Sequence, residues 1–384
     1  FSGSSISIGN NLNFSGGGGF LQNSAAVSSS VSFTTFSKLR VSDQVEYHDV
    51  HITTSGNASD KEFSNILGDF IIDNGCILTT NKRTAVISSG NLVVNGSIAS
   101  SSGDDSLIFN GTSAQTISGS GNATLENLII RNSSGVTNSM NINIIKVLSI
   151  ESGTFSTGGS VTLKSTSSRT AIISEIGNNG AGAGISGSVT CERNINGATT
   201  AGYRHLSSPV QGTQLSDFQD GTSPEGIYTY GFTGSNAPSA GGYNSCYQYD
   251  PAIANGSGNA DDGWVAATNS SNGVTPHEAW TIYVGGTTGP GAKSSYDLST
   301  SGSVYSGSVT LNSSNANIAA NSGGTQEWGL VGNPYPCTIQ WDAVSKSNIN
   351  SIAQIYAEDD FNGYRTTNFN AGANRIPPFQ AFWV

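Results

Sequence analysis

Through about residue 185 the chain repeats one phrase: three to five apolar, often β-branched residues, then a polar turn of Gly, Asn and Ser. Ile6-Ser-Ile8, Phe70-Ile-Ile72, Leu92-Val-Val94, Leu107-Ile-Phe109, Leu128-Ile-Ile130, Val147-Leu-Ser-Ile150 and Val161-Thr-Leu163 all carry it. Runs this short, bounded by turn residues, predict strands rather than helices. The intervals from Phe70 to Leu92, Leu92 to Leu107, Leu107 to Leu128 and Leu128 to Val147 are ragged, at about 15–22 residues, and suit one turn of a parallel β-solenoid. In such a coil the inward residues stack into an apolar column. Ser, Thr and Asn face water, and Gly or Asn takes the tight corners.

The pattern changes near residues 175–190, where Gly177-Asn-Asn-Gly-Ala-Gly-Ala-Gly-Ile-Ser-Gly187 reads as a turn-rich boundary. All five tryptophans lie beyond it: Trp264, Trp280, Trp328, Trp341 and Trp383. Runs such as Gly226-Ile-Tyr-Thr-Tyr230, Ala279-Trp-Thr-Ile-Tyr-Val284 and Gln354-Ile-Tyr356 alternate like the strands of a sandwich. Long polar loops are expected at 233–245 and 252–263, and a single helical turn around Asp342–Ser345. The fold class expected is all-β: an N-terminal parallel β-solenoid over 1–185, followed by an aromatic-rich antiparallel β-sandwich over 186–384.

Composition narrows the partners. Charged residues are only 11 % of the 384, against about 25 % in an ordinary soluble domain. Fifteen basic residues against 26 acidic give a net charge of −11. Nucleic acid requires a cationic footprint that this chain lacks, and an anionic membrane surface would repel it. No stretch approaches the roughly 18 apolar residues of a membrane helix. No secretory signal peptide opens the sequence, which begins in strand grammar at Phe1 and reads as mature, processed or incomplete. Cys76, Cys191, Cys246 and Cys337 are widely spaced and form no CxxC, which argues against zinc. Pairing among them is open in an oxidising exterior, but Cys76 reads as a buried free thiol.

Chemistry is sparse. In Glu46-Tyr-His-Asp-Val-His51, strand alternation puts His48 and Val50 on one face and Asp49 and His51 on the other, so the two histidines cannot share a metal without a bulge. Asp60, Lys61, Glu62, Lys82 and Arg83 are the charges that could face a groove on adjacent rungs. Ca²⁺ is the cofactor with most support. Asn255, Ser257, Asn259, Asp261 and Asp262 place oxygens through one loop, and Asp359, Asp360 and Asn362 do so in a second, although neither follows the EF-hand pattern. His205 reads as a structural hydrogen-bonding residue, because no Ser–His–Asp signature accompanies it. Trp264, Trp280 and Trp328, set among aliphatics, read as core rather than as an exposed sugar-stacking platform.

Two resemblances add to this. Leu125-Glu-Asn-Leu-Ile-Ile-Arg-Asn-Ser-Ser-Gly-Val136, followed by Lys146-Val-Leu-Ser-Ile-Glu-Ser-Gly-Thr-Phe-Ser-Thr157, resembles the right-handed β-helix repeats of secreted bacterial proteins, with Lys146 where a small residue is usual. Five later phrases keep a family's order: Val189-Thr-Cys-Glu-Arg-Asn-Ile195, Tyr203-Arg-His-Leu-Ser-Ser-Pro209, Asp262-Gly-Trp-Val265, Gly329-Leu-Val-Gly-Asn-Pro-Tyr-Pro336 and Ile376-Pro-Pro-Phe-Gln-Ala-Phe-Trp-Val384. They resemble the β-sandwich module that follows β-helical repeats in surface proteins of Bacteroidota exported by the type IX system. The closing phrase departs from that family: Pro378-Phe-Gln-Ala-Phe382 replaces a Gly-Gln-Gly-Phe-like centre. The family's sorting domain does not follow it, which the resemblance explains by cleavage after export or by a position beyond residue 384.

The expected function is that of a non-enzymatic, exported cell-surface protein, structural or adhesive, able to associate head-to-tail by β-strand addition through its terminal strands. Its expected partners are copies of itself or other surface proteins, with glycans a further option. A β-helical polysaccharide lyase or hydrolase, or a carbohydrate-binding module, are the alternatives.

Overall fold

The computed structural model describes residues 6–9, 30–35, 49–52, 56–59, 63–81, 84–87, 89–100, 103–158, 160–174, 176, 184–196, 201–219, 226–237, 243–285, 293, 295–311, 328–347, 349, 352–356, 364–365 and 375–384. The chain divides into two compact units: Phe1–Lys164 with Ala171–Val189, and Ser165–Thr170 with Thr190–Val384. The boundary thus falls a few residues after the expected one, and a six-residue hairpin belongs to the second unit.

The first unit is a parallel β-solenoid with three strands in each full turn. One column runs Ile6–Gly9, Ser30–Thr35, Asp49–Ile52, Phe70–Ile72, Leu92–Val94, Gln115–Ser118, Val136–Asn138, Thr154–Ser156 and Gly184–Ser186, each strand parallel to the next. A second stacks Leu78, Ile98, Ala123, Ile142 and Val161 in register, and a third stacks Ala85, Leu107, Leu128, Leu148 and Ile173. Strands Asn122–Arg131 and Asn141–Ser152 serve both of these columns, and the register of their pairing shifts between Leu125 and Asn127, where the chain turns the corner. The ragged period now has a cause. Phe70 to Leu92 is a full turn within one column, whereas Leu92 and Leu107 lie in different columns of one turn.

Inside, Phe70, Leu92, Ile117, Leu128, Leu148 and Ile142 are buried, as the alternation requires. Outside, an Asx ladder ties turn to turn. Asp69 N–H donates to Asp49 Oδ1, Asn91 N–H and Nδ2 donate to Asp69 Oδ1, and Thr116 N–H and Oγ1 donate to Asn91 Oδ1. These steps span 20, 22 and 25 residues, one turn each. Buried amides close the corners: Gln115 Nε2 donates to the carbonyls of Ile87 and Gly90, and Asn132 Nδ2 to Ser113 O and Gln115 Oε1.

The second unit is antiparallel. Gly202–Leu206, Trp280–Val284, Cys246–Tyr249 and Trp264–Ala266 form a four-stranded sheet in that order. Leu330–Gly332 pairs with Ala381–Trp383, Ile339–Gln340 with Arg375–Ile376, and Ile355–Tyr356 with Tyr364–Arg365. Strand Ala381–Trp383 is buried on both faces. Phe382 joins Val331, Trp341 and Ile376 in one apolar cluster, while Ala381 and Trp383 join Leu330, Tyr249 and Ala254 in another. Asn333 explains the Gly-Asn-Pro-Tyr-Pro phrase. Fully buried, it donates through Nδ2 to the carbonyls of Cys337, Ile376 and Pro377, and its Oδ1 accepts from Tyr335 N–H.

Three local expectations are corrected. Residues 252–263 are not a loop: Pro251–Ser257 is an α-helix, capped by Asp250 with Pro at its first turn and closed by Gly258 in the left-handed conformation, and a 3-10 turn, Ala260–Gly263, follows. Trp328 is 40 % exposed, so it is not core, whereas Trp280 is buried. The expected helical turn falls at Trp341–Ala343, slightly earlier than read. All four cysteines are free thiols, Cys76 among the buried ones.

Backbone contact between turns sets the glycine requirement. A Cβ on Gly90 would lie 1.7 Å from Gly68 O in the turn below, whereas one on Gly75, at φ 78°, would meet nothing within 4 Å. Gly90→Ala should therefore destabilise the solenoid by roughly 3 kcal/mol or more, through displacement of a neighbouring turn. Gly75→Ala should cost only about 1 kcal/mol, from its left-handed φ. Urea melts of the two variants check this, and equal losses would refute the close-contact account.

Candidate functional site

The expected calcium loops do not assemble a metal centre among the described residues. Asn255 and Ser257 lie in the Pro251–Ser257 helix. Asn259 caps the following turn: its Oδ1 accepts from Asp261 N–H, and its Nδ2 donates to Asp262 Oδ1 at 3.4 Å. Ser257 Oγ donates to Ala254 O and Asn259 O. Of the oxygens read as ligands, those of Ser257, Asn259 and Asp262 are thus engaged within the two short helical segments. Asp359, Asp360 and Asn362 lie outside the described residues, as do His48, Asp60, Lys61, Glu62, Lys82 and Arg83. No group of three or more His, Cys, Asp or Glu able to hold a metal occurs among the described residues. His51 does sit opposite Val50 as alternation required, and its Nε2 meets Asp73 Oδ1 at 2.5 Å in the next turn.

The solenoid brings together one charged cluster that sequence reading missed. Glu126, fully buried at the corner, accepts from Gly103 N–H through Oε1 and from Asp105 N–H and Lys146 Nζ through Oε2. Lys146 also meets Asp104 Oδ1 at 3.0 Å and donates to Gly103 O. Burial works to lower the lysine pKa, but its hydrogen bonds to Asp104 and Glu126, with their charges, leave it raised. These groups sit one turn apart, as carboxylates do in a β-helical active site. However, both Glu126 oxygens are held by backbone amides, a geometry that staples turns and gives a general base no lone pair aimed outward. Lys146, which departed from the β-helix phrase by size, supplies the cation for that staple.

The richest arrangement is in the second unit around His205, on the end strand Gly202–Leu206 of the four-stranded sheet. Cross-strand pairing with Thr281 brings Nδ1 to 2.7 Å from Thr281 Oγ1, and Nε2 lies 3.3 Å from Trp383 Nε1. The indole N–H can only donate, so Nε2 accepts, and the proton resides on Nδ1, which donates to Thr281. Rings enclose the imidazole: Tyr356 at 5.1 Å, Trp383 at 5.7 Å and Trp264 stacked at 6.1 Å between centroids. The residue is 4 % exposed, and burial pushes its pKa down to about 3. A neutral histidine fixed at both nitrogens is structural, as the sequence implied.

Beside it a cavity is lined by Arg193, Asn194, Arg204, His205, Tyr356 and Gln380, among others. Arg193 shares a strand face with buried Cys191. Burial presses its guanidinium pKa downward, and Nη1 donates to Thr170 Oγ1 of the inserted hairpin at 3.3 Å. Phe379, at the floor, has φ 64° at the third position of a turn closed by Gln380 N–H to Pro377 O. With Pro378 before it, this is the geometry of a type II turn, whose third position favours glycine. The glycine-like centre of the resembling phrase would meet that demand without strain, and here a buried Phe meets it instead.

A family model described as a domain of unknown function (DUF8693) matches residues 97–369, more than half of the chain. No curated protein and no solved structure matches it.

Two outcomes follow from this geometry. The unfolded histidine titrates near 6.5 and the folded one near 3, so the unfolded state binds more protons between those values. Stability should therefore fall as pH drops through that window, by up to about 1.4 kcal/mol per pH unit from this group. His205→Gln should flatten the slope by one proton in denaturant melts followed by tryptophan fluorescence, and an unchanged slope would contradict the assignment. Phe379→Gly should be less destabilising than Phe379→Ala by about 1 kcal/mol, the reverse of the usual order, because only glycine relieves the positive φ. The same melts decide it.

Proposed function

The chain belongs to the family described as a domain of unknown function, DUF8693, and from that premise we propose that it is an exported cell-surface protein with a structural and adhesive role. The solenoid supplies a stalk and the antiparallel unit supplies a contact surface. The observation that carries this reading is the turn-to-turn bonding of the solenoid: nine parallel strands in one column, reinforced outside by the Asp49–Asp69–Asn91–Thr116 ladder. Such a stack resists local opening, because each turn is held by backbone and side-chain bonds to both neighbours.

Two further observations favour a non-catalytic role. Glu126 and Lys146 are engaged in stapling turns, and His205 is locked in one neutral tautomer. Export by the type IX route is the part of the proposal supported by the ordered phrases of the second half. Self-association is supported by the ladder itself. Among the described residues, strands Ile6–Gly9 and Gly184–Ser186 each have one neighbour in their column, which leaves an outer edge for a strand from a second copy. The C-terminal strand Ala381–Trp383 offers no such edge, because Leu330–Gly332 pairs with one side and Gln354 bonds the other.

The test is the assembly state of the purified chain. Light scattering across a concentration series, with negative-stain microscopy, should show growth from monomer to head-to-tail oligomers or fibres. A strictly monomeric protein at the highest concentration, with no fibres, would exclude self-assembly. Failure of antibodies to label intact cells producing the protein would exclude the surface location.

A further inference from the structure

The four-stranded sheet of the second unit ends on strand Trp264–Ala266, which pairs only with Cys246–Tyr249. The bonds that flank this pairing, Asp250 N–H to Gly263 O and Ala267 N–H to Cys246 O, fix its phase. In an antiparallel ladder alternate residues turn their backbone groups inward, so Val265 faces the sheet while Trp264 and Ala266 face away from it. The N–H and C=O groups of Trp264 and Ala266 find no partner among the described residues. Sheet edges are usually blunted by Lys, Pro or a bulge, and this strand has none of them. Its side chains suit a guest as well. Trp264 packs on one face against Tyr249 and Trp383, while Val265, on the other, is 41 % exposed.

Charge selects the guest. From Leu206 to Ala292 the sequence holds seven Asp or Glu and no Lys or Arg, and this stretch supplies three of the four strands. Asp261 and Asp262, immediately before the edge strand, are exposed, and no ion pair among the described residues includes them. A second copy paired edge to edge would bring two such cation-free stretches together, which like-charge repulsion opposes. A segment carrying Lys or Arg is attracted instead.

We propose that the edge Trp264–Ala266 accepts a short, basic, extended segment of a partner protein as a fifth strand, its Lys or Arg meeting Asp261 and Asp262 and an apolar side chain covering Val265. This names the contact surface of the antiparallel unit. It is separate from assembly through the solenoid ends, since light scattering reads that assembly and peptide titration reads this edge.

Calorimetry on the full chain tests it, with three blocked heptapeptides as probes: alternating lysine and valine, alternating glutamate and valine, and the lysine–valine peptide with every backbone amide N-methylated. The first should bind with a Kd on the order of 0.1–1 mM, and the other two at least about tenfold more weakly. Amide exchange at Trp264 and Ala266, followed by NMR, should slow at least about fivefold when the first peptide is added. Ala266→Pro removes an outward donor at a position where an edge strand tolerates proline, and should weaken binding about tenfold. Asp261→Asn combined with Asp262→Asn should do the same, as should roughly 1 M salt. Should Ala266→Pro not give the parent circular dichroism spectrum, the aspartate pair and the N-methylated peptide carry the test. Absence of binding by the lysine–valine peptide would overturn the proposal, as would equal binding of either control or undiminished binding to the folded variants. Protection of Trp264 and Ala266 that rises with protein concentration alone would make a second copy the occupant and overturn it too.

Discussion

Register between successive turns is the constraint on which the first unit depends. Parallel strands stack at about 4.8 Å, so whatever occupies one position in a turn must tolerate its equivalent directly above and below. This is why Leu128 lies on Leu107 and beneath Leu148, why Asn91 can accept from Thr116 while donating to Asp69, and why Gly90 must lack a side chain above Gly68. Corners obey the same rule with polar groups. Where the chain bends and loses ladder bonds, the buried Glu126 carboxylate and the Gln115 and Asn132 amides recover them.

The second unit follows a different logic. Its strands are short, and aromatic rings with buried polar anchors hold them. Trp383 contributes to the apolar cluster on one face of its strand and donates to His205. Asn333 binds three carbonyls around the Pro-Tyr-Pro turn, including two from the closing segment. Residues far apart in sequence thus meet at single polar atoms, which makes the closing phrase structural on both of its faces.

What was legible in the sequence was the local period. Short apolar runs announced the strands, Gly and Asn announced the corners, and the change in aromatic content announced the second unit. The number of columns per turn was hidden, because consecutive runs alternate between columns and the interval between runs is not the interval between stacked residues. The helix at Pro251–Ser257 was obscured by its Asn-Gly-Ser composition, although Asp250 and Pro251 before it and Gly258 after it are ordinary boundary signals. The same capping use of Asn259 and Ser257 made a turn look like a cation loop. Arg193 and Arg204 stood in two quoted phrases, but that both line one cavity depends on pairings separated in sequence, which no local pattern encodes.

The Asx ladder also bears on how the solenoid would respond to a pull. Each turn contributes about 4.8 Å of stack height but about 20 residues of chain, so one peeled turn would lengthen the tether by roughly 70 Å. Bonds that run from turn to turn, including those of Asp69 and Asn91, would have to be broken one layer at a time. A solenoid built in this way stores slack in discrete increments and would release it turn by turn under load.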